Sequence, residues 1–469
     1  MQSNLKKTTP GWRLRAREKR SILLIGDLLM AYLALAGALY LWSLRDQWSL
    51  TFLSERVAGW YYFLPFAWIL LLLNLYDPHR VTNVKVTVRG VLASAVLGLL
   101  LYAVVYFLVE GNQTRIGVGF FLVLAALLTL AWRMLYIRIF TSRALMRRVL
   151  ILGAGKAGET LLEAYHTLKP RPFYLVGFID DDPEKTGRHL KGVPILGAGD
   201  RLREIVEREA VTDLVIAVSG EMQGRTFQAV LDVQQQGVDV IPMPAMYEEL
   251  MNRVPIHHLE SEWLIRSFVI QARTSMFYEA TRRVLDIIGG LVGLLILAIL
   301  FPFVSLGILL ESGRPVFYRQ LRLGKGGRPY EVLKFRTMWQ DAEKDGVRLT
   351  VQNDSRVTRF GNFLRRAHLD EFPQFWNVLK GEMSLIGPRA ERPEWVEQFE
   401  KQIPFYRARL LVKPGITGWA QVNYDYYVTV EEMAVKLEYD LYYIKHRNLL
   451  MDFAILLRTI WQVFGLRGR

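Results

Sequence analysis

Cysteine is absent from all 469 residues, which excludes disulfides, thiolate nucleophiles and cysteine-ligated zinc. Histidine is scarce, with seven residues. His257 and His258 fall in a predicted linker and read as surface residues, and His368 has no second histidine at metal-ligand spacing. Acids are also in short supply. The 45 Asp and Glu face 59 Lys and Arg, leaving a formal charge of +14. No internal repeat and no long low-complexity run is present, and the basic start is followed by an apolar run without the small-residue site of a cleavable signal peptide. What is abundant is apolar residue, 51% of the chain, bunched near the N-terminus and again near residue 290. That distribution points to a membrane protein, so the cation excess is read as matching anionic lipid and phosphorylated substrate, with no nucleic-acid partner.

Four apolar segments come first: Ile22–Leu44, Trp60–Tyr76, Val91–Val109 and Val118–Ile139. Each approaches the length of about 20 residues that a helix needs to cross a bilayer. Lys6, Lys7, Arg13, Arg15, Arg17, Lys19 and Arg20 precede the first; His79, Arg80, Lys85 and Arg89 separate the second and third; Arg143, Arg147 and Arg148 follow the fourth. The other two loops carry Arg45, Arg56 and Arg115 against Asp46, Glu55 and Glu110. The positive-inside rule then places both ends of a four-helix transmembrane bundle, residues 1–146, in the cytoplasm. A fifth segment, about Val284–Leu310, has Arg282 and Arg283 before it and Arg314, Arg319, Arg322, Lys325 and Arg328 after it. Pro302 inside it predicts a kink. A kinked helix that enters and leaves by one face satisfies both basic flanks, and an ordinary crossing does not.

Between these lies an α/β stretch, residues 147–270. Arg148–Leu152 reads as a buried strand running into Gly153, Gly155 and Gly158, with Asp180, Asp181 and Asp182 beyond the next strand. Strand, glycine turn, helix and following acid are the context of a dinucleotide fingerprint, so a Rossmann-like domain is expected and these glycines are candidate cofactor contacts. One reading of the whole chain is therefore a membrane-anchored NAD-dependent nucleotide-sugar dehydratase or epimerase. Against it, no Tyr-x-x-x-Lys pair follows in a suitable place. Packing, dimerisation or a regulatory nucleotide are the competing roles. A non-catalytic membrane scaffold is a third class, and it predicts that the acids discussed next are dispensable.

The remaining chain, 271–469, carries the candidate chemistry. Lys334 and Arg336 stand two apart, which on a strand puts them on one face. Arg365 and Arg366 precede the adjacent acids Asp370 and Glu371, and Pro373 then opens a predicted helix ending at Gly381. A helix N-terminus stabilises phosphate. Arg389 follows Gly387-Pro388 on a constrained turn, and Lys413-Pro414-Gly415-Ile416-Thr417-Gly418 is a second such loop, making Lys413 and Thr417 further candidates. Two acids among many cations suit diphosphate chemistry with Mg²⁺. An isolated acid pair would more simply cap a helix, and isolated arginines would touch solvent or lipid. The last stretch, Asp452–Arg469, reads either as an interfacial helix or as one packed on its own core.

The ordered set of Lys334–Met338 (KFRTM), Leu369–Gln374 (LDEFPQ), Ser384–Arg389 (SLIGPR), Lys413–Gly418 (KPGITG) and Asp440–Tyr443 (DLYY) resembles the bacterial sugar transferase family, the monotopic phosphoglycosyl transferases. With four spans and an α/β domain in front, the chain is similar to the long initiating enzymes of exopolysaccharide and O-antigen synthesis. The resemblance implies an α/β monotopic catalytic domain with a re-entrant helix kinked at Pro302, in the bacterial inner (cytoplasmic) membrane and facing the cytoplasm. It implies transfer of hexose-1-phosphate, glucose or galactose, from a UDP-sugar to undecaprenyl phosphate with release of UMP. Asp370 would be the nucleophile, Glu371 the Mg²⁺ ligand, and Lys334, Arg336, Arg365 and Arg389 the phosphate-binding cations; a homodimer is expected. Phe372 replaces the family's usual leucine, and Ala390 stands where a proline is frequent, which predicts a looser turn at Arg389.

Overall fold

The computed structural model of the chain describes residues 16–45, 57–76, 81, 83–108, 115–140, 146–218, 220, 222, 224–259, 275–340, 342, 354–424 and 429–464. Several flanking charges used above for orientation, among them Lys6, Lys7, Arg13, Arg15, His79, Arg80 and Arg143, lie outside these residues, as do Arg467, Arg469 and the expected boundary near 270. The chain divides into two compact units, Met1–Leu250 and Met251–Arg469.

Three of the four N-terminal apolar runs form helices long and apolar enough to cross a membrane, within Glu18–Arg45, Val84–Val104 and Ile116–Phe140. The second run does not. It breaks into a 3-10 turn at Gly59–Phe63, a helix at Leu64–Leu71 and another 3-10 turn at Leu73–Tyr76. Pro65 starts the middle piece, and the Leu72 N–H is shared among the carbonyls of Trp68, Ile69 and Leu70, which tightens the helix to its end. At 1.5 Å per residue the continuous helical part, Gly59–Leu71, reaches about 20 Å, short of a bilayer core of about 30 Å. The helices pack through a buried polar pair that hydropathy alone conceals. Arg133 Nη2 donates to Asp27 Oδ2 at 2.7 Å, Tyr76 Oη donates to the same oxygen at 2.7 Å, and Arg133 Nη1 donates to the Leu75 carbonyl. Removing either charge would leave the other buried and uncompensated.

In the same unit, strands β1 (Arg148–Leu152), β2 (Tyr174–Ile179), β5 (Asp213–Ile216) and β6 (Asp239–Pro242) form a parallel sheet of order β2-β1-β5-β6. A hairpin of β3 (His189–Leu190) and β4 (Val193–Pro194) is inserted after β2. Helices cover the crossovers, which is why β1 is apolar at almost every position. Strand order reverses at β1, and the glycine turn follows directly from it.

The second unit begins earlier than the sequence reading placed it. Val254 and Ile256, assigned above to the middle domain, are buried in one core with Phe399, Tyr406, Leu437, Tyr443 and Ile455. Two apolar residues in a short polar stretch carry no periodicity that would have revealed their partners. The helix Met276–Ser312 runs unbroken for 37 residues with Pro302 inside it, and its length and composition suit a membrane. Strands β7 (Phe317–Leu323) and β8 (Pro329–Phe335) form a hairpin, while β9 (Ser384–Ile386) and β10 (Gly415–Thr417) pair in parallel. The body grips the long helix at glycine notches. A Cβ on Gly293 would lie 2.3 Å from the Phe375 ring, and one on Gly307 would lie 2.4 Å from Phe360. The C-terminal helix Leu449–Phe464 packs on this core through Ile455, Leu457 and a buried Arg458 stacked on Trp419, which selects the core-packed reading of that segment.

Candidate active site

The two acids are presented by a reversal of the chain. The helix Arg359–Arg366 ends, His368 turns the backbone through φ 54°, and Leu369–Glu371 forms one 3-10 turn ahead of the helix Gln374–Lys380. The expected helix N-terminus is therefore separated from the acids by Phe372 and Pro373. Asn377 ties that helix to β8. Its Nδ2 donates to the Glu331 carbonyl at 2.7 Å and its Oδ1 accepts from the Leu333 N–H at 3.1 Å, which holds the acids beside Lys334.

The adjacent carboxylates meet different surroundings. Glu371 Oε1 accepts from Lys334 Nζ at 2.7 Å and from Arg389 Nη2 at 2.5 Å, while Oε2 accepts from Arg389 Nη1 at 3.3 Å. Burial alone would raise this acid, but Arg389 and Lys334 outweigh it and hold the carboxyl well below the usual range. Asp370 is 9% exposed and accepts no hydrogen bond among the described residues. Burial and then the neighbouring Glu371 charge push it above its ordinary value, against the pull of Lys334, Arg365 and Arg389. The pair thus consists of one carboxylate committed to cations and one with its lone pairs open. Arg365 Nε donates to the Thr337 hydroxyl at 2.8 Å, on the side of Asp370.

Arg389 is held by a buried ion network that sequence reading missed. Arg409 Nη2 donates to the Arg389 carbonyl at 2.9 Å and to Asp440 Oδ2 at 2.9 Å. Arg322 Nη1 donates to the Ala390 carbonyl at 3.0 Å, and Lys436 Nζ donates to Glu391 at 2.6 Å. Burial would raise Glu391, but Lys436, Arg409 and Arg322 hold it down to about 2. Ala390 therefore does not loosen the turn, because two guanidinium groups fix its carbonyls. The only sequence signal for this network was Asp440, in a motif without an evident role. Behind the turn, the backbones of two motifs touch: a Cβ on Gly387 would lie 2.4 Å from the Lys413 carbonyl, and one on Gly415 would lie 2.1 Å from the Gly387 nitrogen. A shallow cleft opens beside Arg389, lined by Leu323, Gly324, Pro388, Leu410 and Pro414.

Three expected substrate-binding residues have other partners or lie apart from the acids. β8 ends at Phe335, so the two-residue alternation stops one residue short of Arg336. Its Nη2 instead donates to the Ser312 carbonyl at 2.8 Å and to the Gly313 carbonyl, capping the C-terminus of the long helix. The Thr417 hydroxyl pairs with Thr459 at 2.7 Å and is buried. Lys413 lies against Gly381, at the far end of the helix from the acids. Spacing could not show this, because the helix between them alone spans about 10 Å. His368 is exposed beside the pair.

The glycine turn of the first unit has the expected shape, with Gly153 at φ 107° and Gly158 packed against the Gly153 carbonyl. Its acids are already engaged. Asp180 Oδ2 accepts from the Ala154 N–H at 2.7 Å, and Asp181 accepts from the Gly199 N–H and the Thr226 hydroxyl, each at 2.7 Å.

Residues 277–466 match the model of the bacterial sugar transferase, and residues 71–244 match the model of a CoA-binding domain. The chain is 40% identical over 233 residues to a UDP-N-acetylgalactosamine-undecaprenyl-phosphate N-acetylgalactosaminephosphotransferase of Aeromonas hydrophila, covering 49% of this chain and 54% of that one. It is 32% identical to an undecaprenyl-phosphate glucose phosphotransferase of Komagataeibacter xylinus, covering 82% of this chain and 73% of that one. It is 33% identical to a UDP-glucose:undecaprenyl-phosphate glucose-1-phosphate transferase of Escherichia coli (strain K12), with 68% of each chain covered.

Proposed function

This chain belongs to the bacterial sugar transferase family, and on that footing we propose that it transfers hexose-1-phosphate from a UDP-sugar to undecaprenyl phosphate. The observation that carries the reading is the asymmetric acid pair: an open, buried Asp370 beside a Glu371 locked to Lys334 and Arg389. In this proposal an Asp370 carboxylate oxygen attacks the sugar-bearing phosphorus. The bond from that phosphorus to the bridging oxygen breaks, and UMP leaves with the electron pair. The phosphate oxygen of the lipid then attacks the same phosphorus, which breaks the acyl phosphate and regenerates Asp370. Lys334, Arg365 and Arg389 neutralise the oxygens of the diphosphate. Glu371 orients two of those cations.

Magnesium fits this donor set. A carboxylate offers about four lone-pair positions, and the bonds to Glu371 occupy three. Mg²⁺ commonly takes one or two carboxylates plus substrate phosphate. Glu371 and the diphosphate would hold it, and it would supply charge neutralisation on the departing phosphate.

Both ends of the helix Met276–Ser312 are tied to one α/β body: Arg282 donates to Ser384, and Arg336 caps Ser312. This supports re-entry of the helix that contains Pro302, with the catalytic body on the cytoplasmic face of the inner membrane, where UDP-sugars are. Single cysteines replacing Met276 and Arg314 in this cysteine-free chain would react with an impermeant maleimide on the same side; opposite sides would remove re-entry. We read the parallel-sheet region as Rossmann-like, with a packing or dimerisation role. The dehydratase or epimerase reading is not favoured, since the named relatives are transferases and Asp180 is held by its own glycine turn. A homodimer and a first step of exopolysaccharide or O-antigen synthesis complete the proposal.

The test is UMP release from a panel of UDP-sugars with undecaprenyl phosphate, with and without Mg²⁺. Glucose or galactose is expected to be the best donor. Without lipid acceptor, labelled phosphosugar should attach to Asp370. Turnover without such an adduct would replace the two-step route by direct attack of the lipid.

A further inference from the structure

Tyr278, Arg282 and Asp286 recur every fourth residue at the start of the long apolar helix, so they share one face of it. All three are buried. A buried charge is costly unless it is bonded, so the partners of this face show what it does. Tyr278 Oη donates to Asp452 Oδ2 at 2.8 Å, which anchors the first turn to the C-terminal helix. Arg282 and Asp286 reach β9 instead. Arg282 Nη2 donates to Ser384 Oγ at 3.0 Å and to the Ile386 carbonyl. Asp286 Oδ1 accepts from Ser384 Oγ at 2.9 Å and from the Leu385 N–H at 2.8 Å.

β9 is at the short limit for a strand, with three residues. The backbone of β10 holds it by one set of bonds: the Ser384 N–H donates to the Pro414 carbonyl at 2.9 Å, and the following Gly387 N–H donates to the Thr417 carbonyl at 2.8 Å. The two charged side chains of the long helix hold it by another. Gly387, Pro388 and Arg389 continue directly from β9, so its position sets where the Arg389 fork begins. After the turn, Arg409 holds the Arg389 carbonyl. The turn is thus clamped on both sides, and the clamp on its near side belongs to the long helix. Arg389 must place Nη1 and Nη2 on the two oxygens of Glu371, and such a fork tolerates little misplacement. The long helix also meets the helix Gln374–Lys380, where a Cβ on Gly290 would lie 2.6 Å from Leu379, but that contact is apolar and carries no direction.

We propose that Arg282 and Asp286 are positioning residues for the transfer reaction: through β9 they set the approach of Arg389 to Glu371, so that the acid pair registers how the long helix is seated. This assignment rests on the transferase reading, in which Arg389 neutralises the diphosphate.

Two measurements on the full chain in dodecyl maltoside test it. The first needs no turnover. Modification of arginines by phenylglyoxal is followed by peptide mass spectrometry, with Arg365, on the helix Arg359–Arg366, as the internal reference. In Asp286→Ala, Arg389 should react about tenfold faster, the change expected when one hydrogen bond to a charged group is lost. Arg365 should change by less than about twofold, as for a site that shares no partner with Asp286. Asp286→Asn keeps an acceptor oxygen for the Leu385 N–H and should return Arg389 to within about threefold of wild type. Ser384→Ala removes one hydroxyl from the same chain of bonds and should act in the same direction as Asp286→Ala. Equal acceleration of Arg389 and Arg365, or no acceleration in either variant, would reduce Asp286 to an anchor of the fold and overturn the proposal.

The second measurement is a double-mutant cycle on kcat/KM for UMP release. Asp286→Ala should lower kcat/KM about tenfold in the wild-type background. It should lower it less than about twofold when Arg389→Lys is already present, because lysine has no fork left to aim. Losses that multiply would mean that Asp286 acts by another route, and would also overturn the proposal. A wild-type chain that releases no UMP would remove the transferase reading, while the labelling would still decide whether the long helix holds Arg389.

Discussion

Two pairs of adjacent acids, one in each unit, invite comparison. Asp180 and Asp181 follow β2 beside a glycine turn; Asp370 and Glu371 follow a basic helix. In the first pair both carboxylates are bonded within the fold: Asp180 accepts from Ala154 and Asp182 N–H groups and faces Lys185, while Asp181 accepts from Gly199 and Thr226. In the second pair Glu371 spends three acceptor positions on Lys334 and Arg389, and Asp370 stays open. A motif therefore has chemistry to offer in proportion to the lone pairs its own fold leaves unspent. Buried groups that satisfy one another build structure; a buried group that is left over can react.

The sharpest way to break this comparison is to substitute the open acid. Asp370→Asn should lower UMP release by on the order of 10³-fold or more with little change in thermal stability. Activity within tenfold of wild type would show that the open carboxylate is not the reacting group. Glu371→Gln should cost less, about 10²-fold, because it weakens the hold on two cations without removing them. It should also move the pH profile. Asp370 must be ionised to attack, and burial together with the Glu371 charge raises it, so activity should fall on acidification at a pH above the ordinary aspartate range. Glu371→Gln removes the second cause, so the acid limb of kcat/KM should shift to lower pH; an unmoved limb would uncouple the two acids.

Asp440→Asn tests the support behind Arg389. It weakens the partner of the buried Arg409 and should lower stability by about 1–3 kcal/mol in chemical denaturation, with KM for UDP-sugar raised more than kcat is lowered. The smallest catalytic effect is expected in the other unit. Asp180→Ala should destabilise the glycine turn by about 1–3 kcal/mol and leave UMP release within about twofold. A large catalytic loss there would mean that its acids serve the reaction after all.

Several elements were legible before any coordinates. Three of the first four membrane runs, the long helix with Pro302, the glycine turn after β1, and the acids with Lys334 and Arg389 all rest on local pattern: apolar length, strand-to-turn punctuation and short charged motifs. What local pattern could not supply was the partner of each charge. Glu371 finds Lys334 across 37 residues and Arg389 across 18, Arg409 finds Asp440 across 31, and Asp27 finds Arg133 across 106. Arg336 looked equivalent to Lys334, yet the strand ended one residue before it and a helix terminus claimed it. The sequence by itself determined where apolar length demands a membrane and which charged residues are available. Only the tertiary structure decided which of them are consumed, because hydrogen bonds and ion pairs form over about 3 Å, and that proximity is set by packing between segments far apart in the chain.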